Sequence, residues 1–391
     1  MITKNKDTNV GMKWEMVKLG DLVSISKGKK HIAKDNGVNR YINIENLHNP
    51  ENSLYTDEKG MFVNQNDLII AWDGANAGKV GVGFDGVIGS TLARLKITKV
   101  DVFPKYLFWN LESMNDLIKS QRTGATIPHV NGAALKDLQI PLPPLPVQKR
   151  IAEILDAADA LRRKDQELIK KYDELAQAIF IDMFGDPVRN EKGWEVKKLG
   201  EVCTKIGSGA TPTGGKTAYK KSGIALIRSM NVYDFSFKWK DLAYIDEQQA
   251  TKLNNVEVKS KDVLFNITGA SVCRCSIVPE KILPARVNQH VAIIRPRKEI
   301  LNPIFLNHLL VSDRVKNNLL GVGAGGGAVM EAITKDQLEN FEIIIPTIKK
   351  QNEFENKIDL VFGQKNIQNN SEEQSVHLFQ SLIHKAFKGE L

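Results

Sequence analysis

The chain has 391 residues, 42% of them hydrophobic and 26% charged, with a formal net charge of +8. That length suits two or three domains, each with apolar residues enough for a core, and so excludes a disordered chain. No run of about 18 apolar residues occurs, which excludes a helical membrane span, and the +8 excess points only mildly towards a polyanionic partner.

Residues 1–7 lack the apolar region of a secretory signal, and Cys203, Cys273 and Cys275 are too few for a disulfide framework, so a reducing cytoplasm is expected. At Trp14 a motif begins, Trp-Glu-x-x-Lys-Leu-Gly, that returns at Trp194. Short β-type runs follow, such as Asp67-Leu68-Ile69-Ile70-Ala71-Trp72, punctuated by Gly and Asn. The globular part closes on Ile140-Pro141-Leu142-Pro143-Pro144-Leu145-Pro146, where prolines force an extended exit. A helix is expected directly after it, from Val147 to Phe184, about 57 Å long at ~1.5 Å per residue. Its apolar positions Ile151, Ile154, Ala158, Leu161, Leu168, Tyr172, Leu175 and Ile179 keep a 3-4 spacing, interrupted at Asp165, that argues a coiled-coil seam. Gly185-Asp186-Pro187 stops it.

The second half repeats this order. Asp262-Val263-Leu264-Phe265 with Gly269 answers Asp67-Leu68-Ile69-Ile70 with Gly74, Pro303 answers Pro104, and Leu338–Phe387 aligns without gaps on Leu135–Phe184. The offset grows from 180 to 203, so the second copy has gained about 23 residues, mostly before Asp262; two copies mean duplication and not a solenoid. A second helix is expected from about Lys349 to Phe387, with Phe354, Ile358, Val361, Leu378 and Leu382 on its seam and a polar middle expected to fray or bulge. Gln148 and Gln351 occupy matching places where the two helices start. The fold class expected is α+β. Two globular parts, 1–146 and 187–348, are separated by long helices, 147–186 and 349–391, that pair antiparallel. Basic residues exceed acidic ones by 3 in the first globular part and by 7 in the second, whereas the helices are neutral or acidic. Such a partition suggests globular parts facing nucleic acid and helices facing protein.

Several motifs tempt a catalytic reading. Gly214-Gly215-Lys216-Thr217 lacks the earlier glycine of a phosphate-binding loop, and Gly321-Val322-Gly323-Ala324-Gly325-Gly326 follows a helix end instead of a strand. Asn302-Pro303-Ile304-Phe305 departs from the amino-methyltransferase motif at its third residue, and its duplicate Phe103-Pro104-Lys105-Tyr106 lacks the Asn. Glu257-Val258-Lys259 imitates a nuclease metal site without support from the first copy, and no zinc spacing occurs among seven histidines. What remains is a basic, polar loop set in each globular part. The first comprises Lys27, Lys29, Lys30, His31, Arg40, Asn43 and Asn46; the second, Lys216, Tyr219, Lys220, Lys221, Arg228 and Asn231. Lys and Arg neutralise phosphates, while Arg and Asn form bidentate pairs with base edges.

On the duplicated opening motif, the Gly209-x-Thr211-Pro212 loop, the strands before Gly74 and Gly269, and the proline exit into Val147-Gln148, the chain resembles the specificity subunit of type I restriction–modification enzymes. The second copy departs from the pattern at Thr347 and Lys349, which replace prolines. The resemblance spans nearly the whole chain. It implies two target recognition domains reading the halves of a split, asymmetric double-stranded DNA sequence. It also implies a coiled coil that sets their spacing and docks two methyltransferase subunits, with restriction subunits joining the complex. S-adenosylmethionine, ATP and magnesium would bind those partners; this chain would hold no cofactor or metal and catalyse nothing. A self-contained methyltransferase–nuclease and a pure protein scaffold are the rival classes.

Overall fold

The computed structural model describes residues 14–49, 51, 53–124, 126–323 and 332–391, without the side chains of Lys216, Val322 and Gly323. The chain divides into two compact units: residues 1–167 with 369–391, and the contiguous stretch 168–368.

In the first unit the globular part is built on two four-stranded sheets. One is antiparallel throughout, in the order Val23–Lys27, Leu92–Ile97, Leu68–Ala71, Val80–Val82. The other runs Leu54–Thr56, Asn39–Ile42, Gly86–Ile88, Phe62–Val63, with its middle pair parallel. Leu68–Ala71 is buried on both faces, which explains why it reads as a continuous apolar run with no alternation. Ile69 and Ala71 join Ile42 and Ile88 in one cluster, while Leu68 and Ile70 join Leu95, Leu107 and Ile140 in another. Glu15–Lys18 pairs antiparallel with Gln139–Leu142, so the part closes its first strand on its last. Pro141 is accepted there because a two-stranded ribbon has only edge positions.

The second unit repeats the plan strand for strand. Its antiparallel sheet runs Cys203–Ser208, Val291–Pro296, Val263–Asn266, Cys275–Ile277, and its mixed sheet runs Ala243–Ile245, Ile224–Ile227, Ala285–Val287, Glu257–Val258, again with the middle pair parallel. Glu195–Lys198 closes on Glu342–Ile345. The extra residues before Asp262 include a hairpin, Val232–Tyr233 with Ser236–Phe237, and a short helix, Glu247–Lys252.

Two long helices, Leu145–Phe184 and Ile348–Lys388, each contribute to both units and pair antiparallel within each. In the first unit Ile151, Ala152 and Leu155 are buried with Ala386, and Gln166 donates to Glu372 at 3.0 Å. In the second, Phe180 and Phe184 pack on Phe354 at 5.5 and 5.4 Å between ring centroids, and Lys365 pairs with Asp173 at 2.5 Å. Three expected seam residues are corrected: Leu161, Leu175 and Leu378 are 46, 46 and 48% exposed. Apolar spacing alone cannot separate an inner stripe from an outer one on a helix that carries both. The buried line of the first helix runs instead through Ile151, Leu155, Ala158, Asp165, Ala176 and Phe180, and it takes Asp165 into the seam instead of breaking there. The second helix also continues unbroken through its polar middle, with Ser375 buried, where a fray or bulge was expected.

Candidate nucleic-acid interface

Each loop set leaves its sheet at a glycine that the fold requires. A Cβ on Gly28 would lie 2.2 Å from the Gly89 carbonyl oxygen, and one on Gly209 would lie 1.7 Å from that of Val287, so only glycine fits where the strand end crosses its neighbour. Beyond Gly28, Lys29 and Lys30 are exposed and make no ion pair among the described residues. His31 is different. Its side chain is 3% exposed, its Nδ1 lies 3.0 Å from Glu58 Oε2, and its ring meets Tyr41 edge-on at 6.0 Å. The His31 and Ile32 hydrogen bonds hold the Glu58 carboxyl below the usual carboxylate range. His31 thus pins the loop and does not face outward.

The asparagines are also spent on the backbone. Asn43 Oδ1 accepts the Glu45 N–H at 2.9 Å, and Asn46, 2% exposed, accepts the Asn43 N–H at 2.9 Å. Asn231 repeats the role of Asn46: fully buried, it accepts the Arg228 N–H at 3.1 Å and donates to the Lys238 carbonyl at 2.9 Å. Both hold a one-turn helix. An Asn that caps a turn and one that reads a base need the same amide, so residue type could not separate them. Arg40 is half-buried on the strand Asn39–Ile42.

In the second loop set the Arg228 guanidinium lies over the Tyr219 ring at 5.3 Å and donates to the Asp241 carbonyl. Lys220 reaches Asp246 at 3.7 Å, and Lys221 is exposed. Lys216 stands on the short turn Gly215–Ala218, its side chain lying outside the described residues, as does 324–326 of the glycine-rich loop.

The structure adds a polar cluster at the end of the central strand of each part. Lys27 pairs with Asp73 at 3.2 Å and lies over Trp72 at 5.6 Å, and His129 Nδ1 meets Asp73 Oδ1 at 2.6 Å. His129 and Lys27 remain about half exposed, at 45 and 48%. At the matching place in the second part, Thr268 Oγ1 meets His290 Nδ1 at 2.6 Å, Gln289 Nε2 lies 3.1 Å from His290 Nε2, and Thr211 donates to Gln289 at 2.5 Å. Both backbones turn at a glycine of positive φ, Gly74 at 91° and Gly269 at 75°, and both form the same isolated bridge, Asp73 with His129 and Thr268 with Ala332. The scaffold is duplicated and the side chains on it differ. The aligned pairs 73/268 and 74/269 were the signal in the sequence. A third group, Tyr233 with Lys238 at 3.7 Å and Arg274 at 4.4 Å from its ring, has no counterpart in the first part. The Lys238 hydrogen bond, with Arg274, lowers the Tyr233 phenol from its usual pKa.

The expected docking residues fall into two groups. Ile151, Ala158, Phe354, Ile358 and Val361 are buried, and Ile154, Leu168, Tyr172, Ile179 and Leu382 are half-buried; Leu161, Leu175 and Leu378 face outward. Gln148 and Gln351 are fully buried, so neither amide is open to another subunit in this chain. The cysteines are buried, and burial pushes the Cys203 thiol up to about 12. No helix among the described residues is long and apolar enough to cross a membrane.

A family model described as type I restriction modification DNA specificity domain matches residues 12–171 and again 191–375. The chain is 27% identical over 357 residues to the type I restriction enzyme MjaVIII specificity subunit of Methanocaldococcus jannaschii, covering 86% of this chain and 83% of that one. It is 24% identical to the EcoBI specificity subunit of Escherichia coli, over 85% of this chain and 75% of that one. The fold is similar to that of the type I restriction–modification S subunit from M. genitalium, with a TM-score of 0.62, 15% identity and 99% of each chain covered.

Proposed function

Because this chain belongs to the type I restriction–modification DNA specificity family, we propose that it is the non-catalytic subunit that tells a methyltransferase–endonuclease complex where to act. Each recognition domain reads one half of a bipartite, asymmetric double-stranded DNA target. The long helices set the gap between the halves and dock two methyltransferase subunits, and the outward-facing Leu161, Leu175 and Leu378 are each open to such docking. Restriction subunits join through the complex. S-adenosylmethionine, ATP and magnesium are held by the partners, and the assembly works in the cytoplasm.

One observation carries this reading. Two domains share the same strand order and the same turn glycines, while the polar side chains at the matching loop cluster differ, Lys27, Asp73 and His129 in one and Thr211, Thr268, Gln289 and His290 in the other. A common scaffold with separate reading surfaces is what two unlike half-sites need. The basic excess in the globular parts supports phosphate contact around them.

The test is methylome sequencing of a methylation-free host that expresses this chain with its methyltransferase subunit, against the methyltransferase alone. A bipartite methylated motif that appears only with this chain is expected. A stable complex that adds no motif would refute the reading.

A further inference from the structure

Gln148 and Gln351 lie at the start of the two long helices and make the same three hydrogen bonds. Gln148 Oε1 accepts the Phe103 N–H at 2.8 Å, and its Nε2 donates to the Asp101 and Pro143 carbonyls, both at 2.8 Å. Gln351 Oε1 accepts the Asn302 N–H at 2.8 Å, and its Nε2 donates to Ile300 at 3.0 Å and Pro346 at 2.7 Å. The backbone partners correspond position for position. In each copy they are the residue before the proline that opens a helix, the residue two earlier, and the proline at the domain's exit. Each amide thus joins three segments: the loop ahead of that helix, the exit from the last strand, and the first turns of the long helix.

Much of the surrounding side-chain set has diverged, although Pro104 and Pro303, Leu107 and Leu306, and Phe184 and Phe387 match. In the first unit Tyr106 donates to the Pro141 carbonyl at 2.6 Å, Trp109 Nε1 donates to Asp156 at 2.9 Å, and Lys105 pairs with Asp156 at 2.5 Å. In the second, Phe305 packs on Phe184 at 4.8 Å and Phe180 at 5.6 Å, while Asn302 donates to Asn352 and Glu355 at 2.9 and 2.6 Å. A buried amide is costly unless its donors and acceptor are paired. Retention of the full set in both copies, while Tyr106 and Trp109 are answered by Phe305 and His308, marks the geometry it imposes as a retained quantity.

We propose that Gln148 and Gln351 are positioning residues that lock each recognition domain at one attitude on its own long helix, and so hold the two half-sites to a single gap. This rests on the function proposed above. Without the lock, the proline-bearing exit becomes a hinge with fewer restraints. The domain still reads its bases, because no reading residue touches the amide, but it reads them over a range of gaps.

The test compares methylomes of cells carrying the methyltransferase subunit with the wild-type chain, Gln148→Leu or Gln351→Leu. Leucine fills similar space and removes all three bonds, leaving one backbone N–H and two carbonyls without the amide. With half-site bases unchanged, methylation at sites whose gap is one base pair longer or shorter is expected to rise about tenfold or more over wild type. A gap as strict as wild type, in a variant that co-purifies with the methyltransferase and methylates, overturns the lock alone. Absence of a bipartite motif with the wild-type chain overturns the parent reading and the lock with it. If a leucine variant does not assemble, Gln148→Glu keeps an oxygen for the Phe103 N–H and offers at most one donor. An intermediate loosening of the gap supports the lock, and a strict gap overturns it.

Discussion

Asp67 and Asp262 stand at the head of the central strands, almost wholly buried, and each carboxylate accepts a backbone N–H three residues earlier, from Asn64 at 3.1 Å and Lys259 at 2.7 Å. Arg295 adds a bidentate pair to Asp262 at 2.6 and 2.7 Å. That strand motif was legible in the sequence because a buried turn demands it in both copies. The reading surface was less legible. Lysines were found from charge alone, but His31, Asn46 and Asn231 turned out to hold loops together, and Asp73 and His129 are 56 residues apart in sequence. No local pattern brings such a pair together; the isolated backbone bridge between them does. His129 is held by Asp73 and still half exposed, which makes it the strongest base-reading candidate in the first domain. His129→Ala is expected to relax specificity at one position of the first half-site, worth about 1–3 kcal/mol of discrimination, and to leave the second half-site unchanged in the methylome. A change in both halves would remove His129 from that role.

The paired helices show why spacing alone misassigned a seam. Their buried line is apolar near both ends and polar between, where Asp159, bridged within its own helix by Arg162 and Arg163 at 2.5 and 2.6 Å, Asp165 and Ser375 are buried; at its exposed edge Gln166 meets Glu372 across the pair. Polar seam residues lower stability and define register, because a slipped pairing leaves them unmatched. From Gln166–Glu372 to Lys365–Asp173, a step of seven along one helix is a step of seven back along the other. Deleting 165–171 together with 367–373 therefore removes matched heptads and keeps the seam in phase. At ~1.5 Å per residue the loss is about 10 Å, so the gap between half-sites is expected to shorten by up to about three base pairs at ~3.4 Å each, with the same bases read. Methylome sequencing checks it, and an unchanged gap would sink the idea of the helices as a ruler.

At the scale of the molecule, each recognition domain begins and ends on one two-stranded ribbon, Glu15–Lys18 with Gln139–Leu142 and Glu195–Lys198 with Glu342–Ile345. A domain so closed can be exchanged as a block. Replacing residues 1–142 by the matching block of a relative is expected to change one half of the methylated motif only; altered bases in both halves would show that the domains do not read independently. Duplication, strand-rich domains and long helices were all visible in the sequence because each is a periodic or repeated signal. The division into units was not, since it depends on which ends of the helices meet.

That division sets an order on synthesis. The second unit is one uninterrupted stretch, whereas the first takes 369–391 to itself, and its Tyr106 and Trp109 rings rest on Phe387 and Phe379. A ribosome adding about 5–20 residues per second delivers the whole of the second unit before those phenylalanines exist. The domain begun first is finished last, and for roughly ten seconds or more its aromatic seat stands open, a surface for a chaperone to cover until its own distant segment arrives.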